Sequence, residues 1–293
     1  MLTRWSNIPT THMKKFILSA CLLLVTSLPL FAAEGTRYIS LAPSTTEILF
    51  ALGLDDEIIG VSSFCNYPPK AKAKEKIGDF SSPNIEKILA LKPDYIFCTG
   101  LEQTPAIESL KRYGLPVYVA DPKNIQELLE SIKQIGELTK RNTQAQQVIV
   151  AMQDEITKIT QQAQRIPADK RLKIFIEIWF EPLTTAGKGS FIDELITLAG
   201  GINIAKNTLR PYSIFSPEEV IKQNPDCIFL TYMNEEKPIE LVKKRFGWQQ
   251  INAVRNNRIY NDIQPDILLR PGPRITKGLK LLFEKLYVSA HEY

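Results

Sequence analysis

The chain has 293 residues, 44% of them hydrophobic and 23% charged, which excludes a disordered or fibrous polymer and supplies apolar mass for two modest cores or one large one. Its formal charge of +4 draws on Arg4, Lys14 and Lys15 near the N-terminus. The remainder is close to neutral, so no nucleic-acid partner is expected.

Met13-Lys14-Lys15, the apolar run from Phe16 to Phe31 and the small pair Ala32-Ala33 follow the order of a secretory signal. Residues 1–33 are therefore expected to be a cleaved signal peptide that directs the protein to the periplasm. Leu18-Ser19-Ala20-Cys21 has the form of a lipidation box, but Leu22 to Val25 prolong the apolar run where a polar tether would be needed. Cys21 is read as one more apolar leader residue. Cys65, Cys98 and Cys227 are odd in number and lack CxxC spacing, which argues against a disulfide framework and a zinc site. Two buried thiols at Cys65 and Cys98 are preferred over a bridge between them.

The strand run Tyr38 to Leu41 leads into Ser44-Thr45-Thr46-Glu47, read as a capping box that opens a helix over Ile48 to Leu52 and ends at Gly53. The same order returns later: strand run Ile174 to Ile178, box Ser190-Phe191-Ile192-Asp193, helix Leu195 to Ala199, and Gly200. Gly187-Lys188-Gly189-Ser190 lacks the spacing of a phosphate-binding loop. A stricter repeat joins Asn84 to Phe97 with Ser216 to Phe229, at a constant offset of 132 residues. Each copy reads as a helix cap, a short amphipathic helix, a Pro-Asp turn and a buried strand.

Two α/β lobes with mainly parallel sheets follow from this alternation. Thr143 to Gln164 contains no Gly or Pro, and Val148, Ile149, Met152, Ile156 and Ile159 recur at helical spacing. That predicts one long helix of roughly 30 Å between the lobes, which would restrict their closure to small movements. The expected organisation is an N-terminal lobe over 34–122, a helical connection over 123–170 and a C-terminal lobe over 171–293.

Ser62-Ser63-Phe64-Cys65-Asn66-Tyr67-Pro68-Pro69, Gly78-Asp79-Phe80, Leu91-Lys92-Pro93-Asp94 and Arg270-Pro271-Gly272-Pro273-Arg274 resemble the vitamin B12-binding branch of the siderophore and cobalamin substrate-binding proteins of ABC importers. The resemblance runs from Arg37 to about Tyr287. It implies two Rossmann-like lobes joined by one helix, the class III periplasmic binding protein fold. It also implies a monomer that carries cobalamin as transported cargo, with no catalytic cofactor and no enzymatic activity. By position, the resemblance makes Tyr67, Phe80 and Tyr212 ligand-facing aromatics and Asp266 and Arg270 polar contacts. Thr99 stands where an indole would be expected, and Trp179-Phe180 stand where the family has smaller residues. The strand-end rule aims Tyr67, Thr99, Trp179, Phe180 and Tyr212 at the cleft. Arg274 reads instead as a structural salt-bridge partner.

Glu86 and Glu218 occupy matched positions of the repeat in the first turn of a helix, where a carboxylate suits the dipole. The resemblance further implies that this pair, one on each lobe, docks on the two permease subunits. A ferric siderophore or haem binder of the same class is the alternative, with Tyr67 or Tyr212 as a haem ligand, since histidine occurs only at His12 and His291. A two-lobed cofactor-dependent enzyme is the distant alternative. It lacks a histidine base for a hydrolytic triad and a glycine-rich dinucleotide turn.

Overall fold

In a computed structural model, residues 35–232 and 238–288 are described. The leader with Cys21 and His12, and the tail with His291, lie outside them. The N-terminal lobe is built from β1 (Tyr38–Ser40), α1 (Pro43–Ala51), β2 (Ile58–Val61), α2 (Ile85–Leu91), β3 (Tyr95–Cys98), α3 (Thr104–Arg112), β4 (Val117–Val119) and α4 (Ile125–Leu138). Its four strands form a wholly parallel sheet in the order β2-β1-β3-β4. The connecting helix α5 spans Asn142–Gln164, one residue longer than its sequence pattern predicts.

The C-terminal lobe contains β5 (Lys173–Phe180), β6 (Leu183–Ala186), α6 (Phe191–Leu198), β7 (Ile202–Asn203), β8 (Tyr212–Ile214), α7 (Pro217–Gln223), β9 (Cys227–Leu230), α8 (Pro238–Lys244), β10 (Ile259–Tyr260) and α9 (Ile275–Phe283). Here the sheet is mixed. β10, β9, β5 and β7 pair in parallel, whereas β6 runs antiparallel to both β5 and β8. The departure comes from a tight β5-β6 connection at Glu181-Pro182, too short for the crossover that a parallel partner needs. After α9, Glu284–Val288 continue the chain as a π turn.

The strict repeat folds twice in the same way. Asn84 and Ser216 each cap their helix, accepting from the backbone N–H of Lys87 at 2.9 Å and of Glu219 at 3.3 Å. Lys92 and Asn224 then reverse the chain in the left-handed region at φ 46° and 48°. Asp94 accepts from Arg37 N–H at 2.7 Å and Asp226 from Lys173 N–H at 2.8 Å, so each Pro-Asp turn anchors the first strand of its own lobe.

The box at Ser190 forms, with its Oγ accepting from Asp193 N–H at 3.1 Å. The box at Ser44 does not. Pro43 starts α1 earlier, Ala42 is the cap residue, and no side chain caps it. Proline suits the first helical position because its missing N–H would have no partner there. Glu47 is thereby carried into the second turn, where its side chain is buried and pairs with arginine instead.

One cluster of buried side chains runs from Ile48, Leu128 and Ile132 through Ile149, Met152 and Ile159 of α5 to Ile192, Leu195, Leu279 and Leu282. A shared core of this kind couples the lobes more tightly than a bare helical rod would. Cys65, Cys98 and Cys227 are all buried and free. Among the described residues, no helix is long and apolar enough to cross a membrane, and no group of His, Cys, Asp or Glu is arranged to hold a metal ion.

Candidate ligand cleft

The loops leaving β1, β2 and β3 emerge at the same edge of the parallel sheet, where α/β lobes gather ligands. Buried hydroxyls tie the first two together. Thr46 Oγ1 donates to Ser40 Oγ at 2.7 Å and lies 3.1 Å from Cys65 Sγ, which fixes the loop carrying Phe64, Asn66 and Tyr67. Ser63 donates through both its backbone N–H and its Oγ to Gly78 O, each at 2.9 Å. Gly78 sits at φ 105°, and a Cβ there would lie 2.7 Å from Asn84 N, so only glycine brings the Phe80 loop this close.

Gln103, fully buried, is the hub of these loops. Its Nε2 donates to Leu41 O at 2.8 Å and to Phe80 O at 2.7 Å, while its Oε1 accepts from Thr99 N–H at 2.9 Å. A lone glutamine in a one-turn 3₁₀ helix has no sequence pattern, and sequence reasoning missed it.

Facing these loops is the second-lobe segment 264–274. A cavity of about 520 Å³ lies between, lined by Pro43, Ser44, Phe64, Phe80, Thr99 and Glu102 on one side and by Asp266, Leu269, Arg270 and Pro271 on the other. An adjoining cavity of about 380 Å³ includes Tyr67 and Arg274 and shares Asp266. Both are of a size to hold a small molecule and both lie between the lobes. A larger depression, about 750 Å³, is lined by residues of α5 alone, from Asn142 to Asp154.

Of the residues singled out from sequence, Phe80, Thr99, Asp266 and Arg270 meet in the first cavity and Tyr67 lies in the second. Trp179, Phe180 and Tyr212 line neither. A register shift between Glu177 and Trp179 turns the end of β5, leaving Trp179 49% exposed with its Nε1 donating to Glu181 O at 2.9 Å. Phe180 packs between Trp179 and Tyr232, at ring separations of 6.1 and 5.9 Å. Tyr212 begins edge strand β8. Phe64 and Asn66 were legible only as neighbours of Tyr67.

Arg270 is not a free cation awaiting an anion. It donates to Asn66 Oδ1 at 2.6 Å and pairs with Asp266 at 2.9 Å, and Asn66 Nδ2 donates to the same aspartate at 3.2 Å. Arg274 forms the salt bridge read from sequence: its Nε lies 2.7 Å from Glu47 Oε2. Its guanidinium also covers the Tyr67 ring, 3.8 Å from the centroid. The charges of the first cavity are thus largely paired among themselves, beside an apolar lining.

Glu86 and Glu218 are the second residues of α2 and α7, and both are exposed. Ser216 Oγ donates to Glu218 Oε2 at 2.6 Å, which holds that carboxyl below its ordinary value.

The profile of the family described as periplasmic binding protein matches residues 39–264. An uncharacterized ABC transporter substrate-binding lipoprotein, YvrC, of Bacillus subtilis is 35% identical, covering 87% of this chain and 81% of its own. A vitamin B12-binding protein of Pectobacterium carotovorum is 30% identical, covering 85% and 88%. Among solved structures, a protein of Staphylococcus epidermidis described as a possible iron-binding (periplasmic solute-binding) protein has a TM-score of 0.76 at 34% identity, over 86% of this chain and 98% of that one. The vitamin B12-binding protein BtuF of Vibrio cholerae scores 0.75 at 28%, over 87% and 98%. The haem-binding protein RhuT of Roseiflexus sp. RS-1 scores 0.77 at 26%, over 87% and 99%.

Proposed function

The chain belongs to the periplasmic binding protein family, as a substrate-binding protein of the cobalamin, siderophore and haem class, and we propose that its cargo is cobalamin or a related corrinoid, held between the lobes and delivered to an ABC permease. The observation that carries this reading is the charge pairing in the cleft. Arg270 is engaged by Asp266 and Asn66, and Arg274 by Glu47. A ferric siderophore with several anionic groups would need cations that are not already neutralised. A corrin is a broad apolar plate fringed with amides, which suits aromatic faces and a few polar groups already fixed in orientation.

In this reading Tyr67 and Phe80 pack on the plate, Thr99 leaves it room, and Asp266 and Arg270 meet its polar fringe. Trp179, Phe180 and Tyr212, which line neither cavity, meet only the part of a corrinoid that extends beyond both along the second lobe. Glu86 and Glu218 dock on the permease, one per lobe, and the two copies of the repeat give each the same setting at a helix N-terminus.

A second reading is haem, favoured by the partly exposed Tyr67, whose phenol is of the side-chain type that ligates haem iron. Calorimetric titration with cyanocobalamin, haemin and a ferric siderophore decides between them. Saturable one-to-one binding of cyanocobalamin alone is the expected result. Binding of haemin or the iron chelate with silence from cyanocobalamin would overturn the corrinoid assignment.

A further inference from the structure

Glu47 and Arg274 come from opposite lobes, and neither belongs to the ligand contacts proposed above. The Glu47 side chain is 3% exposed, and its two salt-bridge partners among the described residues, Arg274 and Arg270 at 3.7 Å, both reach it from the second lobe. Arg274 grips both of its carboxylate oxygens, through Nε and an Nη. The loop passes close over α1 here: a Cβ on Gly272 would lie 3.5 Å from Glu47 Oε2. A buried carboxylate deprived of this fork would keep only Arg270, at 3.7 Å and already shared with Asp266 and Asn66, and parting the lobes to admit water is the direct way to relieve it. The same guanidinium lies on the Tyr67 ring, so the fork that ties the lobes also holds one face of that aromatic.

We propose that Glu47 and Arg274 are positioning residues for the cleft: their ion pair sets the spacing of the two lobes before ligand arrives and orients Tyr67 as a preformed platform. The part of this proposal that concerns binding rests on the corrinoid reading, whereas the lobe spacing does not. Arg270, held by Asn66 and Asp266, lies next to the clasp and is steadied by it. A cleft organised in advance loses less freedom when it binds.

The test compares the wild-type protein with E47Q, R274Q, R274K and the doubly apolar E47L/R274M, the last chosen because replacing both partners removes the fork without stranding a charge. Cyanocobalamin affinity is expected to fall at least tenfold in R274Q and E47L/R274M. R274K, which keeps the charge but not the fork, recovers only part of the loss. Spin labels at R112C and K244C, one exposed site on each lobe, report the interlobe distance without ligand. It is expected to be narrow in the wild type and broader in E47Q and E47L/R274M. If the wild type fails to bind cyanocobalamin, the corrinoid reading falls and the distance distributions alone judge the clasp. Distributions in the variants as narrow as the wild type's would overturn the clasp, and so would wild-type cyanocobalamin affinity in E47L/R274M.

Discussion

The carboxylate of Glu194 in α6 accepts a hydrogen bond from the backbone N–H of Ile125, 2.9 Å away, at the first residue of α4. It ties the second lobe to the first residue of the helix that closes the N-terminal lobe. Burial raises the Glu194 pKa above the ordinary 4.5, opposed by the Ile125 bond and reinforced by Glu127. Because the native state holds this proton to higher pH than the unfolded chain does, its contribution to stability falls as pH rises from 4.5 through the raised value. E194Q keeps an acceptor without the charge, so it is expected to be at least as stable as wild type at pH 7 and to flatten this part of the pH profile. E194A strands the N–H and is expected to cost about 1–2 kcal/mol. Thermal melts from pH 4 to 8 check both.

Arg245 holds Glu177, a fully buried carboxylate on β5, through two hydrogen bonds of 2.6 Å, and lies 4.6 Å from the centre of the Trp248 ring. Burial still drives the Glu177 pKa upward. R245A leaves the carboxylate without its partner and is expected to cost about 3–5 kcal/mol. Urea unfolding of R245A beside E177L/R245M, expected to be far milder, separates loss of the pair from loss of packing.

Q103L keeps the side-chain bulk but strands Leu41 O, Phe80 O and Thr99 N–H. Losing three hydrogen bonds at once, one of them to a buried carbonyl and two to half-buried groups, is expected to destabilise the lobe by roughly 2–4 kcal/mol. Ligand affinity falls with it, because the Phe80 and Thr99 loops lose their common anchor. Wild-type affinity in a folded Q103L protein would show that the loops are held by other contacts.

Burial raises the thiols of Cys98 and Cys227 to about 12. Both remain protonated at neutral pH, where the thiolate is the reactive form. A thiol reagent at pH 8 is expected to leave them unmodified in the native protein and to label them in urea. Since the unfolded thiols ionise first, stability falls as pH rises from about 9 toward 12.

E86A and E218A are expected to abolish delivery to the permease in reconstituted vesicles while cargo affinity stays unchanged. Charge reversal, E86K and E218K, is expected to block it as completely, because the resemblance implies arginines on the permease side and like charges would then meet. Transport at the wild-type rate in the E86A/E218A double variant would remove the docking assignment.

The sequence alone determined the elements whose signals lie within a few residues of one another. The caps at Asn84, Ser190 and Ser216, the Pro-Asp turns, the glycine stops and the apolar spacing of α5 all form as their local chemistry dictates. The recurrence of the Asn84 cap and its Pro-Asp turn 132 residues later, from Ser216 onward, made two related lobes legible before any contact was known. Only the tertiary structure decided the partners of Glu47, which a capping pattern claimed and Arg274, 227 positions away, holds. It decided the role of Gln103 and the self-neutralised state of Arg270 in the same way. A cap or a turn is satisfied by neighbours along the chain, whereas a buried charge or amide takes whatever partner the packing of distant segments brings within hydrogen-bonding reach.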